Sequence, residues 1–191
     1  MTDRKHNDYQ RLARLVSAEI VDVLDQVKDE EVDSLVQEIM TAEKIFLIAV
    51  GRVFLSLQCL AKRLAHFGFD VNVVGSIVEK PISRRDVLLV ASGSGESMFP
   101  LSIVRIAKTY GARVAMITSA ESSTIKKMAD TVLHLPCPTK VDLTVGAKSS
   151  QPMSTLFDQC VHIFGDVLCL VLQDKTEQSG EELFKNHANL E

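Results

Sequence analysis

Between residues 8 and 40, apolar side chains return every three or four positions, at Leu12, Leu15, Val16, Ile20, Val23, Leu24 and Val27, then at Val32, Leu35, Val36 and Ile39. That period gathers them on one helical face, so the chain is expected to open with amphipathic helix, interrupted near the acidic run at 29–31. The rhythm then changes. Short apolar runs at 45–50, 71–74, 87–91, 114–118 and 132–135 alternate with helical periodicity at 54–67, 98–110, 123–129 and 152–172. Runs such as "VLLVA" and "VAMIT" lack in-out alternation, as strands covered on both faces do. Strands separated by helices of this length require right-handed crossovers, which predicts a three-layer α/β/α sandwich on a parallel sheet of about five strands. One domain is expected over 1–191, with a helical arm at 1–41, an α/β core at 42–175 and a polar tail at 176–191.

Composition narrows the class. A net charge of −4 provides no basic footprint for nucleic acid. The four cysteines (Cys59, Cys137, Cys160, Cys169) lack C-x-x-C spacing, and three lie in apolar stretches where a reduced thiol packs as a small hydrophobe, which fits a reducing cytoplasm. The opening "MTDRKHNDYQ" has no secretion signal, and no window reaches the ~18 uncharged apolar residues of a membrane span. A soluble, cytoplasmic protein is expected, with neither nucleic acid nor membrane among its partners. The apolar stripe of the first helices exceeds what one sheet needs and reads as an oligomerisation arm.

Two strands end in unusual loops, "KIFLIAVGR" and "DVLLVASGSGESMFP". In an open parallel sheet, ligands bind past the carboxyl ends of strands, near the point where strand order reverses. Glycine lets the chain at Ser92, Gly93, Ser94, Gly95 and Ser97 fold tightly enough to turn several N–H groups into one concavity. The hydroxyls of Ser92, Ser94 and Ser97 add donors, and the helix beginning near Met98 aims its positive end at the same spot. Together they make a phosphate cradle. The same residues also suit an ordinary strand-to-helix connection capped by Ser97, and both readings stand at this point. Neither a lysine-bearing P-loop nor a dinucleotide fingerprint is present, so a small phosphate ester held without a metal is expected. Arg52 can neutralise phosphate or pair with a carboxylate across the subunit interface. Ser119 and residues 122–124 can line the same cleft or cap the helix that follows, and Glu96 suits a neighbouring subunit or sugar hydroxyls. His66, at a helix end, fits the dipole there as well as it fits catalysis, whereas His134 and His162 read as structural.

From about residue 8 onward the chain resembles the sugar isomerase (SIS) domain family, and within it the 6-phospho-3-hexuloisomerases. The blocks that carry the resemblance are "RLAHFGFDVNVVG", "ASGSGES", "ITSAESSTIKKMAD", "QPMSTLFDQ" and the terminal "NHANLE", in that order. The resemblance implies a flavodoxin-like fold and a rearrangement of ketose or aldose phosphates through an enediol, with no cofactor. It further implies a homo-oligomer, tetramer or dimer, with active sites at subunit contacts. The family's proton-transfer carboxylate corresponds to Asp158, and its C-terminal histidine to His187, with His66 as a further assistant.

Departures from the family pattern fall in the site. The family's first loop reads glycine-x-glycine-arginine-serine-glycine, where this chain has Ala49, Val53 and Phe54 in "AVGRVF"; Ser76 replaces a glutamate, and Asp158 is one methylene shorter than the family's glutamate. Shortening a base by about 1.5 Å can slow turnover ~100-fold. The alternative to an isomerase is therefore a phosphosugar-binding sensor or regulatory protein that has lost turnover.

Overall fold

The structure, a computed structural model, describes residues 3–138 and 149–190, with side chains from residue 8 onward. Most of the expected connection 136–150 lies outside the described residues. Five strands, β1 (Ile45–Ile48), β2 (Val71–Val73), β3 (Val87–Ala91), β4 (Arg113–Thr118) and β5 (Thr131–His134), form one parallel sheet in the order β2-β1-β3-β4-β5. The central strands β1 and β3 are buried at every position, as their unbroken apolar sequences require.

Successive strand residues serve opposite layers. Ile45, Leu47, Val87, Leu89, Ala115 and Ile117 join one core cluster, which they share with helices α1 (Asp3–Leu24), α2 (Asp29–Thr41), α3 (Gly51–His66) and α5 (Thr155–Thr176). Phe46, Ile48, Leu88, Val90, Val114 and Met116 face the other way, against α4 (Met98–Thr109) and the short 3₁₀ turn Lys126–Met128. By length and composition α5 could cross a membrane, yet half of its most apolar stretch is buried inside this fold.

Several boundaries differ from expectation. The break between α1 and α2 falls at 25–28, and the run Asp29, Glu30 and Glu31 opens α2, where carboxylates complement the positive end of the helix dipole. The expected helix at 123–129 contracts to the three-residue turn. The polar tail, for which no element was expected, holds a further helix, α6 (Gly180–Lys185), started by a capping box in which Ser179 and Glu182 satisfy each other's backbone N–H groups.

Candidate active site

β1 and β3 are neighbours, but the helix after β1 leads back to β2 while the helix after β3 leads on to β4. A crevice opens at that divergence, past the carboxyl ends of both strands. It is a cleft of about 430 Å³. One wall is the start of α3, with Val50, Gly51, Arg52 and Val53; the second is the serine loop, with Ser92, Gly93, Ser94 and Ser97; the third is the approach to α5, from Pro152 to Asp158.

Three helices thus begin at this one cleft: α3 at Gly51, α4 behind its cap Ser97, and α5 behind its cap Ser154. Each contributes the positive end of a dipole and first-turn N–H groups that no helical carbonyl can accept. In the serine loop, the N–H groups of Gly93, Ser94 and Ser97 meet no acceptor among the described residues.

The loop is held from behind. Ser92 Oγ accepts the Gly95 N–H at 3.1 Å, Ser94 Oγ accepts the Glu96 N–H at 3.3 Å, and the Gly93 carbonyl accepts from Ser119 N–H and Thr118 Oγ1, each at 3.2 Å. Gly95 has φ +64°, and a Cβ there would lie 2.0 Å from Ser123 Oγ, so no other residue fits. Gly93 rests on the Phe157 ring, 3.3 Å from where its Cβ would be.

Six of the ten residues singled out from sequence line this cleft: Arg52, Ser92, Gly93, Ser94, Ser97 and Asp158. Gly95 and Ser119 do not. Both are buried behind the loop, Gly95 allowing its close approach to Ser123 and Ser119 bonding it to the β4 rim. Glu96 also turns elsewhere: its Oε1 accepts the Thr124 N–H at 2.7 Å, and that donation holds its carboxyl below the usual range. It fixes the 122–124 turn within its own chain.

Asp158 is 5% exposed, and its Oδ2 lies 2.9 Å from the Nε of Arg52, whose side chain is two-thirds exposed; the carboxylate partner of Arg52 thus belongs to its own chain and not to a neighbouring subunit. A nearly buried carboxylate at the cleft floor thus has a counter-charge that still faces solvent. Asp158 sits in the first turn of α5, and Ser56 Oγ donates to its carbonyl at 3.0 Å, tying α5 to α3.

His66 and His187 meet each other, with ring centroids 5.1 Å apart, and neither lines the cleft. They line a separate hollow with Arg63, Cys169, Gln173 and Phe184 at the far end of α3. That helix has 16 residues and is about 24 Å long, so within one chain the histidine pair and the cleft are held apart.

Of the first-loop departures, Val53 lines the cleft, whereas Ala49 is buried and Phe54 packs against the core, because α3 starts at Gly51 instead of Phe54. Ser76 is exposed and lies outside the cleft lining. A hydrogen bond with Cys160 and burial push the Cys137 thiol upward, and burial takes Cys169 to about 11, which disfavours the thiolate at both.

Sequence reasoning missed Ser154, Thr155 and Met153 as cleft residues. The serine and threonine just before the apolar run of α5 were a helix-start signal that could have found the first two. Met153 has φ +55°, a left-handed conformation that costs a non-glycine residue roughly 1–3 kcal/mol and recurs where a site requires it.

The sequence and fold both have relatives. A family model for the SIS domain matches residues 38–163. The 3-hexulose-6-phosphate isomerase of Mycobacterium gastri is 37% identical over 177 residues, covering 93% of this chain and 88% of the relative. That of Bacillus subtilis is 34% identical over 165 residues, covering 86% and 89%. Among solved structures, a Methanococcus jannaschii protein described as inferring a molecular function of 3-hexulose-6-phosphate isomerase superposes with a TM-score of 0.82 at 28% identity, covering 95% of this chain and 99% of that one. With the sheet order, the serine loop at the crevice and a family match over most of the α/β core, this chain belongs to the SIS domain family.

Proposed function

We propose that this protein is a cofactor-independent phosphosugar isomerase whose substrate is a hexulose 6-phosphate. The observation that carries the reading is the convergence of three helix starts and a hydroxyl-bearing loop on one cleft that also holds a paired carboxylate. The phosphate is held by the N–H groups of Gly93, Ser94 and Ser97 and by serine hydroxyls. The names of the Bacillus and Mycobacterium relatives direct the choice of sugar.

The chemistry moves one proton between carbons and one between oxygens. Asp158 removes it from the carbon beside the carbonyl, and the carbonyl oxygen takes up the electron pair as an enediolate, which Arg52 stabilises. The proton returns to the former carbonyl carbon while the neighbouring hydroxyl passes its own proton to the enediolate oxygen, so the carbonyl shifts by one carbon and no atom is gained or lost.

His66 and His187 assist ring opening or proton transfer in the cleft of a neighbouring protomer, since their own is about 24 Å of helix away. The protein is then a cytoplasmic homodimer or homotetramer with shared sites. An exposed apolar strip on α3 and α5, with Leu55, Ile163, Val167 and Leu170, supports that assembly.

The test is proton exchange. Purified protein is incubated with fructose 6-phosphate in deuterated water and followed by NMR; deuterium should enter at carbons beside the carbonyl. Bound sugar phosphate with no exchange above buffer would overturn the isomerase. That result favours the second reading, a sensor without turnover, for which the short Asp158 and the apolar Val53 at the cleft speak.

A further inference from the structure

The apolar stripe of α1 contains one residue that does not belong in it. Val23 and Glu19 are the two buried positions among the described side chains of this helix, and Glu19 is 9% exposed. A carboxylate buried on a packing face needs donors, and Glu19 takes all of those given to it by the described residues from one segment 130 positions downstream. Its Oε1 accepts the Ser150 N–H at 2.7 Å; its Oε2 accepts Ser149 Oγ at 2.7 Å and Gln151 Nε2 at 3.0 Å. Ser149 Oγ in turn accepts the Gln151 N–H at 3.0 Å, which closes the cluster. Burial pushes the Glu19 carboxyl upward, but the Ser150, Gln151 and Ser149 donors outweigh it and hold it below its ordinary range.

The clamped segment runs directly into the third wall of the cleft. Pro152, Met153, Ser154 and Thr155 follow at once and line it, with Met153 in its left-handed conformation. On the downstream side, Thr155 Oγ1 donates to the Pro152 carbonyl at 2.7 Å, and Asp158 N–H to the Ser154 carbonyl at 3.1 Å. The strained residue is thus fixed from both sides, by Glu19 upstream and by the first turn of α5 downstream.

We propose that Glu19 is a positioning residue: through residues 149–151 it holds the cleft wall at 152–155, and with it the register of the α5 turn that presents Asp158. This rests on the isomerase reading for its kinetic consequence, not for its structural one. It gives α1 a task inside its own protomer in addition to any role in assembly.

The test uses the full-length protein and the variants Glu19→Ala, Glu19→Gln, Ser149→Ala and Glu19→Ala/Ser149→Ala. Fructose 6-phosphate turnover is measured with kcat and KM separated, alongside hydrogen exchange of the peptide covering 149–157. Glu19→Ala should lower kcat/KM about 10- to 100-fold, chiefly through kcat, and raise amide exchange at 149–157 about tenfold, while the core strands stay protected. Glu19→Gln, which keeps one acceptor oxygen, should recover part of the loss. Ser149→Ala should give a smaller loss, and the double variant should be no worse than Glu19→Ala alone, since both act through one clamp. If Glu19→Ala does not fold, Ser149→Ala carries the same comparison. Wild-type kcat with unchanged exchange in the single variants, or losses that multiply in the double variant, would overturn the proposal. Should the wild-type protein show no turnover, the isomerase reading fails; the clamp is then judged on exchange at 149–157 and on inorganic phosphate binding, where unchanged values in Glu19→Ala refute it.

Discussion

The two loops that flank the crevice leave adjacent strands of one sheet, yet they are built oppositely. The loop after β3 lines the cleft with Ser92, Gly93, Ser94 and Ser97, leaves the N–H groups of Gly93, Ser94 and Ser97 without an acceptor among the described residues, and is pinned from behind at Gly93 and Gly95. The loop after β1 has almost no length: α3 starts at Gly51, and what it contributes is Val53 and the charged head of Arg52, already bound to Asp158. A parallel sheet supplies two equivalent positions at its switch point, and here one carries the serine loop proposed to hold an anion while the other sets a guanidinium against the carboxylate of Asp158, the proposed base.

Breaking that division should have graded effects. Asp158→Asn keeps the shape of the cleft but removes the proposed base, and should cut proton exchange into fructose 6-phosphate about 10²–10⁴-fold while thermal-shift titration still detects binding. Gly95→Ala forces a Cβ onto Ser123 at a left-handed φ, and should cost about 2–4 kcal/mol of stability, lowering Tm in calorimetry by about 5–15 °C and abolishing the ligand-induced shift.

Removing one hydroxyl from the anion loop is milder: Ser94→Ala should weaken sugar phosphate binding about fivefold, or ~1 kcal/mol, and lose most of the thermal shift at fixed ligand concentration. The smallest effect sharpens the comparison by making the loops more alike. Val53→Ser returns a hydroxyl to the first loop and should tighten binding about two- to fivefold by calorimetric titration, with some loss of core packing.

The strands and the serine loop could be read in advance because buried parallel strands are unbroken apolar runs, and a Ser/Gly stretch after one can bury almost nothing, which places it in a turn at the rim of the sheet. The start of α3 could not. Its cap is Val50, which offers no side-chain acceptor, and its first residue is a glycine at φ +61°, so "AVGRVF" carries no helix-start signal. The tail helix did carry one: Ser179 and Glu182 stand at capping-box spacing, and the polar composition around them hid it.

Candidate site residues divide for a different reason. Arg52 and Asp158 pair across two helices in contact, and Gly95 and Ser119 serve behind the loop; motif position alone distinguishes none of these roles. The separation of His66 and His187 from the cleft follows from the length and direction of α3, which only the three-dimensional arrangement supplies. Glu19 breaks an apolar stripe, but its partners lie 130 residues away, so the sequence marked the anomaly without naming its cause.

The most direct measurement is a crystal structure of the protein soaked with fructose 6-phosphate. The phosphate should lie within about 3 Å of the Gly93, Ser94 and Ser97 amides, with the carbons beside the carbonyl turned toward Asp158. A sugar phosphate bound at any other surface, with the serine loop left empty at saturating ligand, would contradict the account.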